Sequence, residues 1–157
     1  MRTRYKWLMA LPLVLGLSQC SGPKAPSPYS FTLSVELTPE AAAQVKAKGE
    51  GIGITAFYYG QATEAAQAEA DEVHRIRLGY EANIYGGDAR KIHLTADLDT
   101  SLFPKIVNQE PLVLLTAYSA SKMSNPDDLL ECHSVVVPIK AAQATPPVIK
   151  CGLAGAA

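Results

Sequence analysis

Apolar and polar residues alternate along several short stretches of the chain. The alternation runs through Phe31–Leu37, residues 51–59, residues 75–84 and residues 91–98. A period of two is typical of a β-strand that buries one face and exposes the other. The sequence therefore predicts four strands, and the turn at residues 86–88 predicts that the last two form an antiparallel hairpin with one apolar and one polar face.

Three further apolar stretches follow in the second half of the chain. Residues 112–118 are apolar at both odd and even positions, which is typical of a central strand covered on both sides. Residues 135–139 predict a strand at a sheet edge or a bulge, because Pro138 lacks the N–H group that a ladder needs. Residues 148–151 predict one more short strand, after which residues 152–157 resemble a frayed tail.

One helix is predicted between the first two strands. Thr38 is a suitable N-cap, Pro39 suits the first helical position, and residues 40–48 are good helix formers that end at Gly49. Residues 61–71 are rich in alanine and glutamate but lack an apolar stripe, so they form either a helical turn or a loop.

About seven short strands with one short crossover helix predict a mainly β fold, an immunoglobulin-like or transthyretin-like β-sandwich. The strands belong to a single domain at residues 31–151. About 138 residues follow position 19, which is enough for one hydrophobic core and too few for two.

The N-terminus has a different pattern. Arg2, Arg4 and Lys6 form a cationic start without an acidic residue, and residues 7–17 form an apolar run of roughly 11 residues. Such a run is far shorter than the roughly 20 residues needed to span a bilayer. This order of features predicts a secretory signal rather than a transmembrane helix or the buried N-terminal helix of a cytosolic domain.

Leu17-Ser18-Gln19-Cys20 closes the apolar run and resembles the lipobox of bacterial lipoproteins, although Gln19 stands where a small residue is usual. The resemblance implies that residues 1–19 are a signal peptide, removed by a type II signal peptidase. It also implies that the Cys20 thiol receives a diacylglyceryl group and that the new amine receives an acyl chain such as palmitate. Two or three acyl chains anchor a protein stably in a membrane.

The residues around this cysteine set the predicted location and reach. Ser21 stands where an aspartate would favour retention in the inner membrane, so the resemblance implies an outer-membrane lipoprotein that faces the periplasm. Residues 20–30 contain three prolines and predict a semi-rigid tether. The membrane is therefore one expected partner, and any protein partner is expected close to it.

The charge balance argues against nucleic acid as a partner. The chain has 14 Lys and Arg and 15 Asp and Glu, and three of the basic residues fall within residues 1–19. The remaining chain therefore carries 11 basic and 15 acidic residues. It is mildly acidic and has no basic run of the kind that binds phosphate backbones.

Two cysteines remain once Cys20 is used as the anchor. Export would place Cys132 and Cys151 in an oxidising compartment, so we predict a disulfide between them. The alternatives are free thiols or a metal site that includes His133. The metal site is disfavoured because the two cysteines lack the Cys-x-x-Cys spacing of zinc sites.

Catalytic motifs are absent from the sequence. No serine lies in a nucleophile elbow, and no glycine-rich stretch is followed by the lysine of a phosphate loop. His74, His93 and His133 are scattered, and alternation places the first two on opposite faces of neighbouring strands. The acidic cluster at residues 127–131 lies at a turn, where carboxylates usually cap backbone groups. We therefore expect a protein that is not an enzyme and needs no cofactor or metal.

Two candidate binding surfaces are predicted. The polar faces of the predicted hairpin carry mixed charges, and Phe57, Tyr58 and Tyr59 form an aromatic cluster of the kind enriched at interface hot spots. The charged positions are Arg75, Arg77, Lys91 and His93, with Glu81 and Asp97 between them. The alternative interpretations are a plain solvated surface for the charges and core packing for the aromatic residues.

These features predict a lipid-anchored binding or assembly module of the cell envelope that engages a protein partner through a sheet edge or a loop. A periplasmic enzyme inhibitor, similar to a lysozyme inhibitor, is one alternative, with residues 125–131 as the loop that enters a glycan cleft. A glycan-binding or ligand-binding lipoprotein is another. It would need a pocket lined by Tyr58, Tyr59, Tyr80 and Tyr118.

Overall fold

A computed structural model describes residues 26–120 and 129–155 of the chain. Within these residues, eight strands form two four-stranded sheets. The strands are β1 (Phe31–Leu37), β2 (Gly51–Gln61), β3 (Arg75–Gly86), β4 (Lys91–Leu94), β5 (Leu112–Ala120), β6 (Leu130–Cys132), β7 (Val135–Pro138) and β8 (Val148–Leu153). The first sheet has the order β4-β1-β8-β6 and the second has the order β3-β2-β5-β7. The predicted mainly β sandwich is confirmed.

Three predictions concern residues outside the described ranges. They are the signal peptide at residues 1–19, the lipidated Cys20 and the acidic turn at residues 127–128. The loop proposed for an inhibitor, residues 125–131, is described only at its last three positions. The structure therefore bears on the domain from residue 26 onward, and the lipid anchor stays a prediction.

The end of the predicted tether is fixed to the domain. Ser27 Oγ donates a hydrogen bond to the carbonyl of Ala96 at 2.8 Å. The side-chain amide of Gln143 donates to the carbonyls of Pro28 and Ser30 at 2.7 and 3.2 Å. Residues 27–30 consequently belong to the folded domain rather than to a free spacer.

The predicted crossover helix is α1 (Pro39–Lys48), which links the two sheets. Its N-cap is Thr38, whose Oγ1 accepts a hydrogen bond from the N–H of Ala41 at 3.2 Å. Its C-cap is Gly49, which has a left-handed conformation (φ 62°) and donates its N–H to the carbonyl of Lys46. The structure therefore confirms both helix ends that the local sequence predicted.

The predicted hairpin between β3 and β4 is wrong. β3 pairs with β2 in the second sheet, whereas β4 pairs with β1 in the first. The turn closed by the N–H of Ala89 and the carbonyl of Gly86, 2.9 Å apart, carries the chain from one sheet to the other. Alternation shows which face of a strand is buried but does not specify the partner strand. Arg75 and Arg77 therefore lie on a different sheet from His93.

A β-bulge interrupts the ladder between β2 and β3. Tyr58 lies opposite Gly79, and the next residue, Tyr59, lies opposite Arg77. Leu78 is thus the extra residue on β3. An extra residue shifts the alternation of every side chain beyond it to the other face of the sheet.

The bulge divides β3 into two halves with opposite burial. Ile76, before the bulge, is buried, whereas Tyr80 and Ile84, beyond it, are exposed. Glu81 lies opposite Ala56, which is buried between the sheets, and is itself half-buried, so it points inward. The predicted single apolar face of this strand is therefore correct only for its first half.

The second half of the chain follows the predictions more closely. β5 is a central strand between β2 and β7, although its outward side chains are only half-buried. β7 is an edge strand that ends at Pro138, and the next residue begins α2 (Ile139–Ala144), a short helix that the sequence did not predict. β6 was also not predicted. β8 continues past the expected end, because Leu153 pairs with Leu130 of β6.

The hydrophobic core fills the space between the two sheets. Its largest fully buried side chains are Tyr58, Leu33, Ile52, Ile54, Ile92, Leu94, Ile106, Leu115, Ile139 and Ile149. Short 3₁₀ helices lie at Glu64–Glu69 and Thr100–Lys105, the first of them within the stretch predicted as a helical turn or a loop. Ile106 of the following connection packs against Gly60, where a Cβ atom would come within 2.5 Å of the isoleucine side chain.

Candidate functional site

The outward surface of the second sheet is the strongest candidate for a functional site. Cross-strand partners share a face of a sheet, so the register identifies the side chains that point away from the core. They include Gly53, Thr55, Phe57, Tyr59 and Gln61 on β2, Arg75, Arg77, Tyr80, Ala82 and Ile84 on β3, Leu112, Leu114, Thr116 and Tyr118 on β5, and Val136 and Pro138 on β7. We call this surface the outer face. Most of its members are apolar or aromatic, and three of them, Tyr80, Ile84 and Val136, are 53%, 68% and 53% exposed.

The outward surface of the first sheet is polar. The register places on it Thr32, Ser34 and Glu36 of β1, Lys91 and His93 of β4, and Val148 and Lys150 of β8. The two surfaces of the sandwich therefore differ in kind. Soluble monomers rarely expose large contiguous apolar patches, and such patches mark interaction sites. The outer face is thus distinguished from an ordinary solvated surface of the same molecule.

Arg75 lies against two aromatic rings of the outer face. The rings of Phe57 and Tyr59 stack with their centroids 5.6 Å apart and their planes 23° from parallel. The guanidinium carbon of Arg75 is 5.2 Å from each centroid. Cation–π contacts of this kind hold an arginine against an apolar surface without neutralising its charge. Of the residues predicted as a binding site, these three are brought together.

A carboxylate holds Arg75 from the other side. Asp71 Oδ2 accepts a hydrogen bond from the Nε atom of Arg75 at 2.9 Å. Desolvation raises the pKa of Asp71, but hydrogen bonds from the backbone and side chain of Arg75 and from the N–H of Val73 outweigh it and lower the pKa below its ordinary value. Among the described residues, the terminal nitrogens of the Arg75 guanidinium have no hydrogen-bond partner and can accommodate a carboxylate from outside.

Two further contacts shape the outer face. The guanidinium carbon of Arg77 lies 5.7 Å from the ring centroid of Tyr80. The ring of Tyr118 packs on Gly53, its cross-strand partner, where a Cβ atom would fall 2.2 Å from the ring. A residue without a side chain is therefore required at this position, because only glycine admits an aromatic ring so close to the backbone.

Tyr58, which was one of the predicted binding residues, packs in the core. It is 1% exposed, and its hydroxyl donates a hydrogen bond to Glu81 Oε2 at 3.1 Å. Burial and the neighbouring Glu81 carboxylate raise the pKa of Tyr58 far above its ordinary value, so it remains a neutral hydrogen-bond donor. Glu81 Oε2 also accepts from the N–H groups of Thr95 and Ala96 at 3.1 and 3.3 Å. The network ties the second sheet to the segment that follows β4.

The remaining predicted polar residues do not join the outer face. His93 lies on the polar surface of the first sheet. His74 has a left-handed conformation (φ 61°), and its Nδ1 atom lies 2.6 Å from Oε1 of Gln67. Within the described part of the chain, no group of three or more His, Cys, Asp or Glu side chains can hold a metal ion.

The tyrosines expected to line a ligand pocket are divided between two environments. Tyr58 is buried between the sheets, whereas Tyr59, Tyr80 and Tyr118 lie on the outer face. Tyr59 is only 6% exposed whereas Tyr80 is 53% exposed, so the four rings are not gathered into the single lining that the ligand-binding alternative requires.

A surface groove that the sequence did not predict lies beside the end of α1. Its volume is about 1040 Å³, and its lining includes Val45, Lys46, Glu50, Tyr85 and Arg90. Glu50 Oε2 is buried and has no hydrogen-bond partner among the described residues. The groove is assembled from a helix end, a turn and three strand ends that are distant in sequence, so no local pattern could have indicated it. Its charges are mixed, and it groups no nucleophile with a base.

Cys132 and Cys151 form a disulfide, which is the pairing predicted from the sequence. They are cross-strand partners in β6 and β8, with their Cα atoms 4.1 Å apart. Because both sulfur atoms are used in this bond, the structure leaves no thiolate for the alternative metal site with His133.

No protein-family model, curated protein or solved structure matches the chain. None of the helices in the described residues has the length and apolar character needed to cross a bilayer. The outer face and the lipobox-like sequence are therefore the two features from which a function can be argued.

Proposed function

We propose that the protein is a non-catalytic, lipid-anchored binding or assembly module of the cell envelope, located at the outer membrane and facing the periplasm. The lipobox-like sequence that ends at Cys20 supports the anchor. The binding role is supported by the contrast between the apolar outer face and the polar surface of the first sheet, and this contrast carries the proposal. A protein partner that covers the outer face removes its exposed apolar side chains from water.

The chemistry of the outer face specifies the kind of partner. Tyr80 and Ile84 offer exposed apolar area, and Arg75 offers a guanidinium that its contacts with Asp71 and Phe57 already hold in place. A charged group fixed before binding loses little conformational entropy in the complex. The fitting partner is therefore a protein surface with an apolar centre and an adjacent carboxylate that can bind arginine through two hydrogen bonds.

The short tether limits where the partner can lie. The contacts of residues 27–30 with the domain leave only residues 21–26 between the acylated cysteine and the folded part. Six residues span about 20 Å when fully extended. The outer face is thereby kept close to the membrane, and the proposed partner is a protein of the membrane surface or of the adjacent envelope.

We expect Cys20→Ser to move the protein from the membrane fraction to the soluble periplasmic fraction. The substitution removes the thiol that carries the diacylglyceryl group, and the domain offers no spanning helix among its described residues. Fractionation followed by immunoblotting measures the change. Ser21→Ala keeps the acylated thiol and should remain with the membrane. Membrane association of both variants would contradict the proposed anchor.

Crosslinking in intact cells, followed by purification and mass spectrometry, tests the binding surface. We expect Arg75→Ala combined with Tyr80→Ala to reduce recovery of the partner at least about tenfold, because arginine and tyrosine anchors typically dominate interface energies. Lys91→Ala combined with His93→Ala removes two exposed side chains from the polar surface and provides the matched control.

Three outcomes of this experiment would contradict the proposal. One is equal loss of the partner in both double variants, and another is recovery of the lipidated protein without any stoichiometric partner. The third is stoichiometric capture of a glycan hydrolase or a sugar that neither double variant weakens. That last result would instead favour the inhibitor or ligand-binding function.

A further inference from the structure

Two arginines of the outer face hold their guanidinium groups beside neighbouring rings. The guanidinium carbon of Arg75 lies 5.2 Å from the ring centroid of Phe57, and that of Arg77 lies 5.7 Å from the ring centroid of Tyr80. Phe57 and Tyr80 are cross-strand partners on β2 and β3. Because directly opposite residues are the closest neighbours on a sheet face, both cations are brought to one pair of rings. We call these four side chains the two-arginine site.

The two-arginine site carries one positive charge that no neighbouring carboxylate balances. Asp71 pairs with Arg75, whereas Arg77 makes no ion pair and no side-chain hydrogen bond with another described residue. Glu69, on the same connection as Asp71, is already paired with Lys105. Among the outer-face residues named above, only the two arginines are charged. The second cation is therefore compensated by water alone when the outer face is uncovered.

A partner that covers the outer face changes the cost of this charge. Binding removes water from the site, and a buried charge without a counter-ion is strongly unfavourable. The rings do not neutralise the cation, because a cation–π contact leaves its charge in place. The contacting surface must therefore supply one negative charge. A carboxylate carries a single charge, and both of its oxygens match the N–H groups of a guanidinium.

We propose that one aspartate or glutamate carboxylate of the protein partner lies between Arg75 and Arg77 and accepts hydrogen bonds from both guanidinium groups. The inference rests on the proposed function, because it names the group by which the proposed partner is recognised. Arg77 is thereby a specificity-determining residue, since a partner with an apolar or basic group at this position would leave its charge buried and unpaired. The contacts with Phe57 and Tyr80 hold both cations in place before the partner arrives.

Arg77→Lys tests the position of the carboxylate in the full-length, lipidated protein. Lysine keeps the charge and offers an amine, and a water-soluble carbodiimide joins an amine to a contacting carboxylate without a spacer. In cells with a permeabilised outer membrane, we expect the R77K variant to form an adduct with the partner that the parent lacks at this position. Tandem mass spectrometry should place the new amide between residue 77 and an aspartate or glutamate of the partner.

Val136→Lys is the matched control, since Val136 is also exposed on the outer face but lies on β7 at its other edge. We expect no adduct at residue 136. A disuccinimidyl crosslinker joins amines and reports separately whether a partner is present. Capture by this reagent without an adduct at residue 77, or with equal adducts at residues 77 and 136, would overturn the inference and leave the proposed function in place. Capture by neither reagent would contradict the proposed function itself.

Substitution of both arginines tests whether they share one carboxylate. With the captured partner purified, we expect Arg75→Gln and Arg77→Gln each to raise the dissociation constant at least about tenfold. Arg77→Lys should raise it less than Arg77→Gln, because the charge remains. Lys91→Gln, on the polar surface of the first sheet, should leave it unchanged. The two glutamine effects should not multiply in the double variant, because both arginines act on one group. Effects that multiply would overturn the shared carboxylate.

Discussion

Replacing both Cys132 and Cys151 with serine is expected to lower the free energy of unfolding by about 3 kcal/mol. The disulfide joins positions 19 residues apart, and closing a loop of that size removes about this much conformational freedom from the unfolded chain. Urea denaturation of the oxidised parent and of the double variant measures the difference. Dithiothreitol should lower the parent's midpoint to that of the variant and leave the variant's midpoint unchanged.

The loss should appear first in β6. This strand is three residues long, and among the described strands it pairs with β8 alone, so few ladder hydrogen bonds hold it in the sheet. We expect the amide protons of Glu131 and His133 to exchange faster in the variant before protection falls in the central strands. An unchanged unfolding midpoint would contradict this prediction. So would alkylation of both Cys132 and Cys151 in the denatured, unreduced parent.

The parts of the fold that the sequence predicted are those fixed by neighbouring residues. The ends of α1 depend on Thr38, Pro39 and Gly49, whose side chains and backbone preferences act over one helical turn. The alternation in β1 likewise records which side of a single strand is buried. The disulfide was predicted by a different route, from the compartment that the N-terminal sequence implies.

Pairing between distant segments could not be predicted in the same way. β3 and β4 are adjacent in sequence and separated by a turn, yet they are edge strands of different sheets. β6 was missed because three residues with Glu131 at their centre show no strand pattern of their own. The ladder with β8 and the disulfide to that strand define them as a strand. α2 was missed because its first residue, Ile139, continues the apolar run of β7. The sequence pattern therefore does not show where the strand ends and the helix begins.

The bulge at Leu78 is the feature on which the candidate site depends. Without the extra residue, Tyr80 and Ile84 would point into the core and Glu81 would point to solvent, as uninterrupted alternation implies. One signal was available, since a glycine within a strand is typical of a bulge or of a close backbone approach. Gly79 is such a residue, and a Cβ atom there would lie 2.8 Å from the carbonyl oxygen of Asp97.

The same bulge explains which predicted site residues come together. Phe57, Tyr59 and Arg75 share the outer face, and the register on the near side of the bulge also places Arg77 there. Residue type alone therefore indicated a candidate surface, while the division between surface and core required the ladder. The side chain of Glu81 points inward because that of its neighbour Tyr80 points to the outer face.

Glu81→Ala is expected to lower the free energy of unfolding by about 2–3 kcal/mol, because it leaves several donors without an acceptor. The carboxylate accepts from the hydroxyl of Tyr58 and from the N–H groups of Thr95 and Ala96. The tyrosine hydroxyl lies in the core, where an unpaired donor pays its full desolvation cost. Glu36→Ala, on the polar surface of the first sheet, is the matched control and should change stability by less than about 0.5 kcal/mol.

A double-mutant cycle with Tyr58→Phe separates the cost of the unpaired hydroxyl from that of the lost carboxylate. Tyr58→Phe alone removes one hydrogen bond and should cost about 1 kcal/mol. Glu81→Ala combined with Tyr58→Phe should then destabilise less than the sum of the single variants. The reason is that Tyr58→Phe removes the buried hydroxyl that Glu81→Ala would leave without an acceptor. Urea denaturation of the four proteins gives the coupling free energy. Additive effects would mean that the Tyr58 hydroxyl does not depend on the Glu81 carboxylate. A Glu81→Ala variant no less stable than the Glu36→Ala control would mean that this carboxylate does not help to hold the segment after β4 to the second sheet.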